Sequence, residues 1–535
     1  MARSVFAATN GVSNEGGRAS ERRQMTAHRL RVSSGGDNAT SVLGDLQPQS
    51  RRAYLTWGLL VVIGATIFRL VVAARLPLTE DEAYYWTWSQ HLAFGYLDHP
   101  PAVAWLIAAG SIFGQSPLAI RLPFILCGAM TALALARATV MLSGDLRAGA
   151  VAAIIFTLIP QPRMAIGEAL PDGPYLLCWA LALWLTLRAM QQPTRSAMLW
   201  LGIAMGGAML SRWFGWFLLI GIVLYACAPQ RRAIWKNGFW IAPVTAVLMC
   251  IPLLVWNATH GWMNIAFTFS GRDAAHAFSA RSMMYYSTLR TLIFAIIFWI
   301  AARHIILRPR YSLLAWTALP LAVLVIVLSP FDTVESYWLL GPLTSLCVGL
   351  AIWYTHASTV GKRAVAVTVI LPACYTAIAV GFSAIPEAAQ SALLEASNGA
   401  LKQPFYSSAY AYEAFAHDVD TLANAHSALV LTNRYEIASE LYYHGVDSLV
   451  VGFAPQTAQW NQWHKRYRSF PSAVIVTFDP LSRTPDLAVR IERACGKLQA
   501  GPTLRYTYAG TSAATFYTTW CEKARANQRH LVIDP

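Results

Sequence analysis

The chain has 535 residues, of which 56% are hydrophobic and only 13% charged, with a formal net charge of +14. A soluble globular chain carries about 25% charged residues, so this composition excludes an ordinary soluble enzyme and points to repeated membrane spans. The positive charge is spread over short loops and the N-terminal tail rather than gathered into a stripe, a pattern that sets membrane topology and argues against a nucleic-acid partner.

Residues 1–50 are rich in Ser, Gly, Asn and Arg and lack an apolar period, so a disordered basic tail is expected there. The first apolar run, 54–74, is expected to act as an uncleaved anchor, with Arg22, Arg23, Arg51 and Arg52 holding the N-terminus in the cytoplasm. Further spans are expected near 118–142, 149–164, 173–190, 197–211, 213–228, 237–256, 288–302, 311–329, 337–355 and 364–382, eleven in all. In this register Arg231, Arg232 and Lys236, then Arg303, Arg308 and Arg310, then Lys362 and Arg363 all fall inside. The stretch 197–228 is the weak point of the count, because a single kinked helix there would invert everything downstream. Pro100 to Gly114 opens with two prolines and is short for a crossing, so it reads as an interfacial or re-entrant helix.

Between the first two spans lies Thr79-Glu80-Asp81-Glu82-Ala83-Tyr84-Tyr85-Trp86, followed by Tyr96-Leu97-Asp98-His99-Pro100-Pro101. The chain has only 27 acidic residues, and ionisable groups at a membrane boundary are costly enough to mark a functional site. The later segment Gly167-Glu168-Ala169-Leu170-Pro171-Asp172-Gly173-Pro174 is expected on the same outer face, so that two carboxylate clusters share one site. Residues 51–384 are thus expected to form the membrane domain. After about residue 385 charged residues return, and 428–432, 448–452 and 473–478 read as short strands beside a helix over 435–443. Residues 385–535 are therefore expected to form a small outer α/β domain. Its two cysteines, Cys495 and Cys521, either pair in an oxidising compartment or stay reduced, and spacing alone does not decide which.

The ordered set Asp81-Glu82-Ala83-Tyr84-Tyr85, Asp98-His99-Pro100-Pro101, Pro171-Asp172, Ser211-Arg212-Trp213 and Trp256-Asn257-Ala258-Thr259-His260-Gly261-Trp262 resembles the C-type (GT-C) glycosyltransferases that use polyprenyl-phosphate sugars. The bacterial branch with the lipid A aminoarabinose transferase and the lipopolysaccharide galacturonosyl transferases is the nearer match, the protein O-mannosyltransferases a more distant one. The resemblance covers roughly residues 54–385. It implies a polytopic α-helical GT-C fold in the bacterial inner membrane, interfacial helices in the first external loop, and a periplasmic C-terminal domain. It also implies a polyprenyl-phosphate-sugar donor and a lipid or glycan acceptor such as lipid A, core oligosaccharide or surface polysaccharide.

By the same resemblance Asp81 is the candidate catalytic carboxylate, Glu82 supports it or orients the loop, and Asp172 matches the second-loop aspartate. Arg212 stands where relatives often carry Lys and would grip the donor phosphate with a two-pronged hydrogen bond. His99 replaces a Lys in the aminoarabinose branch, which weakens a permanent phosphate contact, since imidazole is mostly neutral at pH 7. Asp98 with His99 would equally supply two ligands to a divalent metal, Mg or Mn, although two adjacent ligands are only part of a site. A transporter or flippase, or a glycan polymerase or ligase, would also be polytopic; the former usually shows internal repeats, and none is evident.

Overall fold

Seven helices in the computed structural model are long and apolar enough to cross a membrane, among the described residues 48–270, 300–305, 308–328, 336–397, 406–451 and 472–524 and isolated positions between them. They are α1 (Pro48–Ala73), α4 (Pro117–Ser143), α7 (Asp172–Gln191), and four later helices at Ile241–Thr259, Pro309–Val327, Tyr337–His356 and Thr359–Ala384. A pair, Gly215–Cys227 and Pro229–Lys236, bends by 81° at Ala228 and makes up to one more span. Proline at 229 accounts for the break, since it disfavours helix at the residue before it. Of the other expected spans, 149–164 is realised as the short α5 (Leu146–Thr157) and 197–211 as α8 (Arg195–Ser211). The run 288–302 lies almost wholly outside the described residues. The tail expected over 1–50 lies outside the described residues except for the start of α1.

The loop after α1 folds into α2 (Glu80–Gln90) and α3 (Ala102–Ser111). Ten residues of helix extend only about 15 Å, so α3 does not cross, as its two leading prolines implied. Thr79 begins α2 with a reciprocal cap: its hydroxyl accepts from the Glu82 N–H while the Glu82 carboxylate accepts from the Thr79 N–H. Nearly every side chain of α2 is buried, because the helix lies between two partners. Tyr84, Tyr85, Trp86 and Trp88 pack with Ile107, Ile120 and Phe124 of the membrane body on one side and with Tyr435, Tyr442 and Tyr443 of the C-terminal region on the other.

The C-terminal region builds a five-stranded sheet in the order β2-β1-β3-β5-β4. The strands are β1 (Leu429–Thr432), β2 (Leu449–Val450), β3 (Ser472–Thr477), β4 (Cys495–Tyr508) and β5 (Thr511–Ala524). β1 runs parallel to β2 and β3, whereas β3, β5 and β4 are antiparallel. The first three strands and the helix Tyr435–Tyr443 fall where the sequence places them. The long β4–β5 hairpin is additional; it turns through Ala509 and Gly510, both at positive φ (50° and 74°), the geometry that matches strand twist in a two-residue turn. Cys495 and Cys521 are bonded, with Cα atoms 5.3 Å apart, at the far end of this hairpin.

Candidate active site

Glu82 is fully buried and its two oxygens are fully engaged. Oε1 accepts from Arg121 Nε (2.8 Å) and the Ala169 N–H (2.9 Å); Oε2 accepts from Arg121 Nη2 (2.6 Å) and the Thr79 N–H (3.0 Å). Arg121 in turn donates to the carbonyls of Ala73, Leu76 and Pro77. One ion pair thus ties the end of α1, the start of α2, α4 and the 168–170 segment together. Burial alone would raise the Glu82 pKa, but the Arg121 charge and hydrogen bonds, with the Ala169 and Thr79 amides, outweigh it and hold the carboxyl below its usual range. Glu82 does not line the neighbouring cavity. With both oxygens engaged in this way, Glu82 has the geometry of a framework residue that orients the loop, the supporting role read for it beside Asp81.

A cavity of about 700 Å³ opens beside this staple. It is lined by Asp81, Asp98, His99, Asp172 and Arg212 of the expected site, and also by Arg69, Arg163, Glu168 and several tyrosines. The two acidic segments therefore meet, as the placement of both on one face requires. Asp81, one residue before Glu82, turns to the opposite side. Its Oδ2 accepts from Arg163 Nη1 at 2.6 Å, with the Asp81 side chain 33% and the Arg163 side chain 54% exposed.

Arg163 sits on the short helix α6 (Pro162–Ile166), closed by Gly167 at φ 71°. A side chain at Gly167 would be strained there and would press its Cβ to 2.4 Å from Ile125 Cγ1. The turn delivers Glu168 to the cavity floor, where Oε2 stands 3.8 Å from Arg163 Nε, beyond hydrogen-bond reach. Burial first, then the neighbouring Glu82 and Asp81 charges, push the Glu168 carboxyl up to about 8 against the pull of Arg163 and Arg121.

Asp172 starts α7, and its Oδ2 accepts from Arg212 Nη2 at 2.8 Å in a buried pair. Arg212, at the end of α8, also lies 4.9 Å from the Tyr337 ring centre. Asp172 Oδ1 and Arg212 Nε are buried with no hydrogen-bond partner among the described residues. These two residues thus retain unused capacity facing the cavity. Asp98 is placed by Asn264, whose amide donates to the Leu97 carbonyl (2.8 Å) and to that of Tyr96. His99 has its ring 6.0 Å from that of Tyr85. Among the described residues, no three His, Cys, Asp or Glu side chains converge on a common cation position. Asp98 and His99 both line the cavity and by themselves are only part of a divalent-ion site, and no step below is routed through such an ion.

The C-terminal region completes the wall with Tyr406, Ser408, Tyr412, Tyr435 and Glu436. The Tyr412 hydroxyl donates to Glu80 Oε1, and Arg434 pairs with Glu436 at 2.5 Å. Burial raises the Glu80 pKa, opposed by the Tyr412 hydrogen bond. None of these wall residues, nor Arg163 and Arg69, stands out in the sequence. Tyrosines at helix ends look like the ordinary interfacial belt, and Arg163 is a single basic residue between apolar runs.

The helical body, its acidic first loop and the small sheet domain define the GT-C fold of membrane glycosyltransferases. ArnT from Cupriavidus metallidurans shares it: in the apo state and in complex with undecaprenyl phosphate it superposes with TM-scores of 0.57 and 0.58 at 15% identity, covering 87% of this chain and 98% of that one. The family model for dolichyl-phosphate-mannose-protein mannosyltransferases matches residues 98–256. Lipid A galacturonosyltransferase RgtD of Rhizobium johnstonii is 27% identical over 321 residues, 56% of this chain and 65% of that protein, so the match spans just under two thirds of the relative. The resemblance read from the ordered motifs is thereby borne out, and the chain is a multi-span membrane protein of this fold.

Proposed function

We propose that this protein is an inner-membrane glycosyltransferase that moves a sugar from a polyprenyl phosphate to a cell-envelope acceptor at the periplasmic face. Lipid A or core oligosaccharide is the first choice of acceptor and surface polysaccharide the second. The observation that carries the reading is the cavity in which a half-exposed carboxylate, Asp81, stands with Arg163 and Arg212 at the head of the membrane helices. The kinship with RgtD and with ArnT, which binds undecaprenyl phosphate, supports the same chemistry. The Cys495–Cys521 bond favours an oxidising compartment for the sheet domain, and the basic tail favours a cytoplasmic N-terminus.

In the proposed reaction an acceptor hydroxyl attacks the anomeric carbon. Its oxygen forms the new glycosidic bond, its proton passes to the Asp81 carboxylate, and the bond between the anomeric carbon and the phosphate oxygen breaks. The electron pair leaves with polyprenyl phosphate, whose growing negative charge is met by guanidinium N–H groups. Arg212, backed by Asp172 and Tyr337, supplies one such contact, and His99 borders the same space. The test is mass spectrometry of the purified chain in lipid nanodiscs with lipid A and a panel of undecaprenyl-phosphate sugars. Transfer of one sugar by wild type and its loss in Asp81→Asn support the reading. Absence of transfer across the panel, together with unchanged envelope glycolipids in cells lacking the protein, would refute it.

A further inference from the structure

Three arginines line the cavity among the described residues, and they are not equally available. Arg69 spends its guanidinium on the backbone, donating to the Met164 carbonyl at 3.0 Å and the Thr157 carbonyl at 3.1 Å. Arg212 is buried and neutralised by Asp172. Arg163 is the exception: its side chain is 54% exposed, and its hydrogen bond to Asp81 uses Nη1. A guanidinium offers five N–H donors in a fixed fork that matches a phosphate.

That single hydrogen bond falls on the carboxylate that the proposed reaction needs as a base. While Asp81 Oδ2 accepts the Arg163 hydrogen bond at 2.6 Å, that oxygen is taken and not open to an acceptor hydroxyl. An anion that enters the cavity and takes the Arg163 fork competes with Asp81 for Nη1. The pair is partly exposed, so breaking it costs little. Nearby Glu168 does not replace Asp81 as a strong competitor, since its Oε2 stands 3.8 Å from Arg163 Nε.

We propose that Arg163 is a phosphate-binding residue that exchanges Asp81 for the phosphate of the polyprenyl donor, so that donor docking itself releases the carboxylate for proton abstraction. This rests on the transferase reading and deepens it. Donor binding then precedes activation of the base, and an acceptor that arrives first meets a masked Asp81. No bond is made or broken in the exchange; one ion pair replaces another.

Binding of undecaprenyl phosphate, with uncharged undecaprenol as the control, tests the exchange without any sugar transfer. Intrinsic tryptophan fluorescence of the full chain in detergent reports both titrations. Arg163→Gln is expected to weaken undecaprenyl phosphate binding by about 10- to 100-fold, the worth of a charge-assisted hydrogen bond pair, and to leave undecaprenol binding unchanged. Arg163→Lys should fall between. Asp81→Asn, which removes the competitor, should tighten phosphate binding by about two- to fivefold. Retention of wild-type phosphate preference by Arg163→Gln, or weaker phosphate binding by Asp81→Asn, would overturn the exchange. The Asp81→Asn arm stands even if Arg163→Gln folds poorly. A wild-type chain that does not distinguish undecaprenyl phosphate from undecaprenol would instead sink the transferase reading.

Discussion

Replacing Glu82 by Ala is the perturbation that separates framework from chemistry most sharply, because its neighbour Asp81 serves as the contrast. The substitution strips Arg121 of its carboxylate hydrogen bonds among the described residues, at 2.8 and 2.6 Å, in a place where both side chains are fully buried. It also orphans the Ala169 and Thr79 amides, which donate to the same carboxylate. Breaking a buried pair from one side costs about 3–5 kcal/mol, since an uncompensated charge remains, and the N-cap of α2 is lost with it. Stabilities of folded domains are about 5–15 kcal/mol, so Glu82→Ala should lower the thermal midpoint in detergent severely and reduce the yield of monodisperse protein. Arg121→Met in the Glu82→Gln background should recover part of that loss by removing the stranded charge. Asp81→Asn disturbs one half-exposed pair and should melt close to wild type. Fluorescence-detected gel filtration and a melting series report all three variants. A Glu82→Ala chain with wild-type stability but no transferase activity would refute the framework assignment and return Glu82 to the catalytic set.

Asp81→Asn should lower transfer by about 10²–10⁴-fold, the usual contribution of a general base, with donor and acceptor turnover followed by mass spectrometry. Glu168 gives a pH prediction: its folded-state carboxyl is pushed up to about 8, while an unfolded Glu titrates near 4.3. Between those values the folded chain binds more protons than the unfolded one, so this group's contribution to stability falls as pH rises towards 8. Glu168→Gln should therefore flatten the wild-type decline in melting temperature between about pH 5 and 8.5; an equally steep decline would refute it. Asp172→Ala should leave buried Arg212 without its carboxylate and destabilise more than Asp172→Asn, which keeps an oxygen facing Nη2; melting curves of both variants check this. Reduction of Cys495–Cys521, which closes a separation of 26 residues, should cost the sheet region about 3.5 kcal/mol in the chain-entropy account, seen as earlier proteolysis within β4 and β5 under dithiothreitol.

The parts of the fold that the sequence displays are those with a local cause. Long apolar runs announce α1, α4 and α7, and Pro100-Pro101 announces that α3 is short. The 149–164 run was expected to cross yet divides into α5 and α6, because Pro160 and Pro162 interrupt the helix before it reaches full length. β4 stayed hidden because Gly501-Pro502 falls inside it, where the ladder register shifts between Ala500 and Thr503. In the site, Asp81, Asp98 and Asp172 were visible as rare acids in a membrane chain. Arg212, the partner of Asp172, was visible as well, but Arg163 and Tyr412 were not, since Arg163 is 82 residues from Asp81 and Tyr412 is 332 from Glu80, and only the fold brings such positions together.

Three carboxylate–arginine pairs at the cavity, Glu82–Arg121 beside it and Asp172–Arg212 and Asp81–Arg163 on its wall, differ chiefly in burial, and burial decides what each can do. Glu82–Arg121 is shut off from water and bound on all sides by backbone groups. Opening it would strand two ions in a low dielectric, so it cannot exchange partners during a catalytic cycle. Asp172–Arg212 is almost as deep but keeps Oδ1 and Nε unmatched, so it can add a ligand contact without giving up its own. Asp81–Arg163 lies where water or a substrate can replace either partner, which makes its exchange cheap. On the proposed transferase reading, a site that holds an anionic donor among carboxylates uses all three kinds: one to fix the loop, one to set the charge of the wall, and one to yield. The gradient from 0% to 54% side-chain exposure across these pairs thus runs from framework to function along a single chemistry.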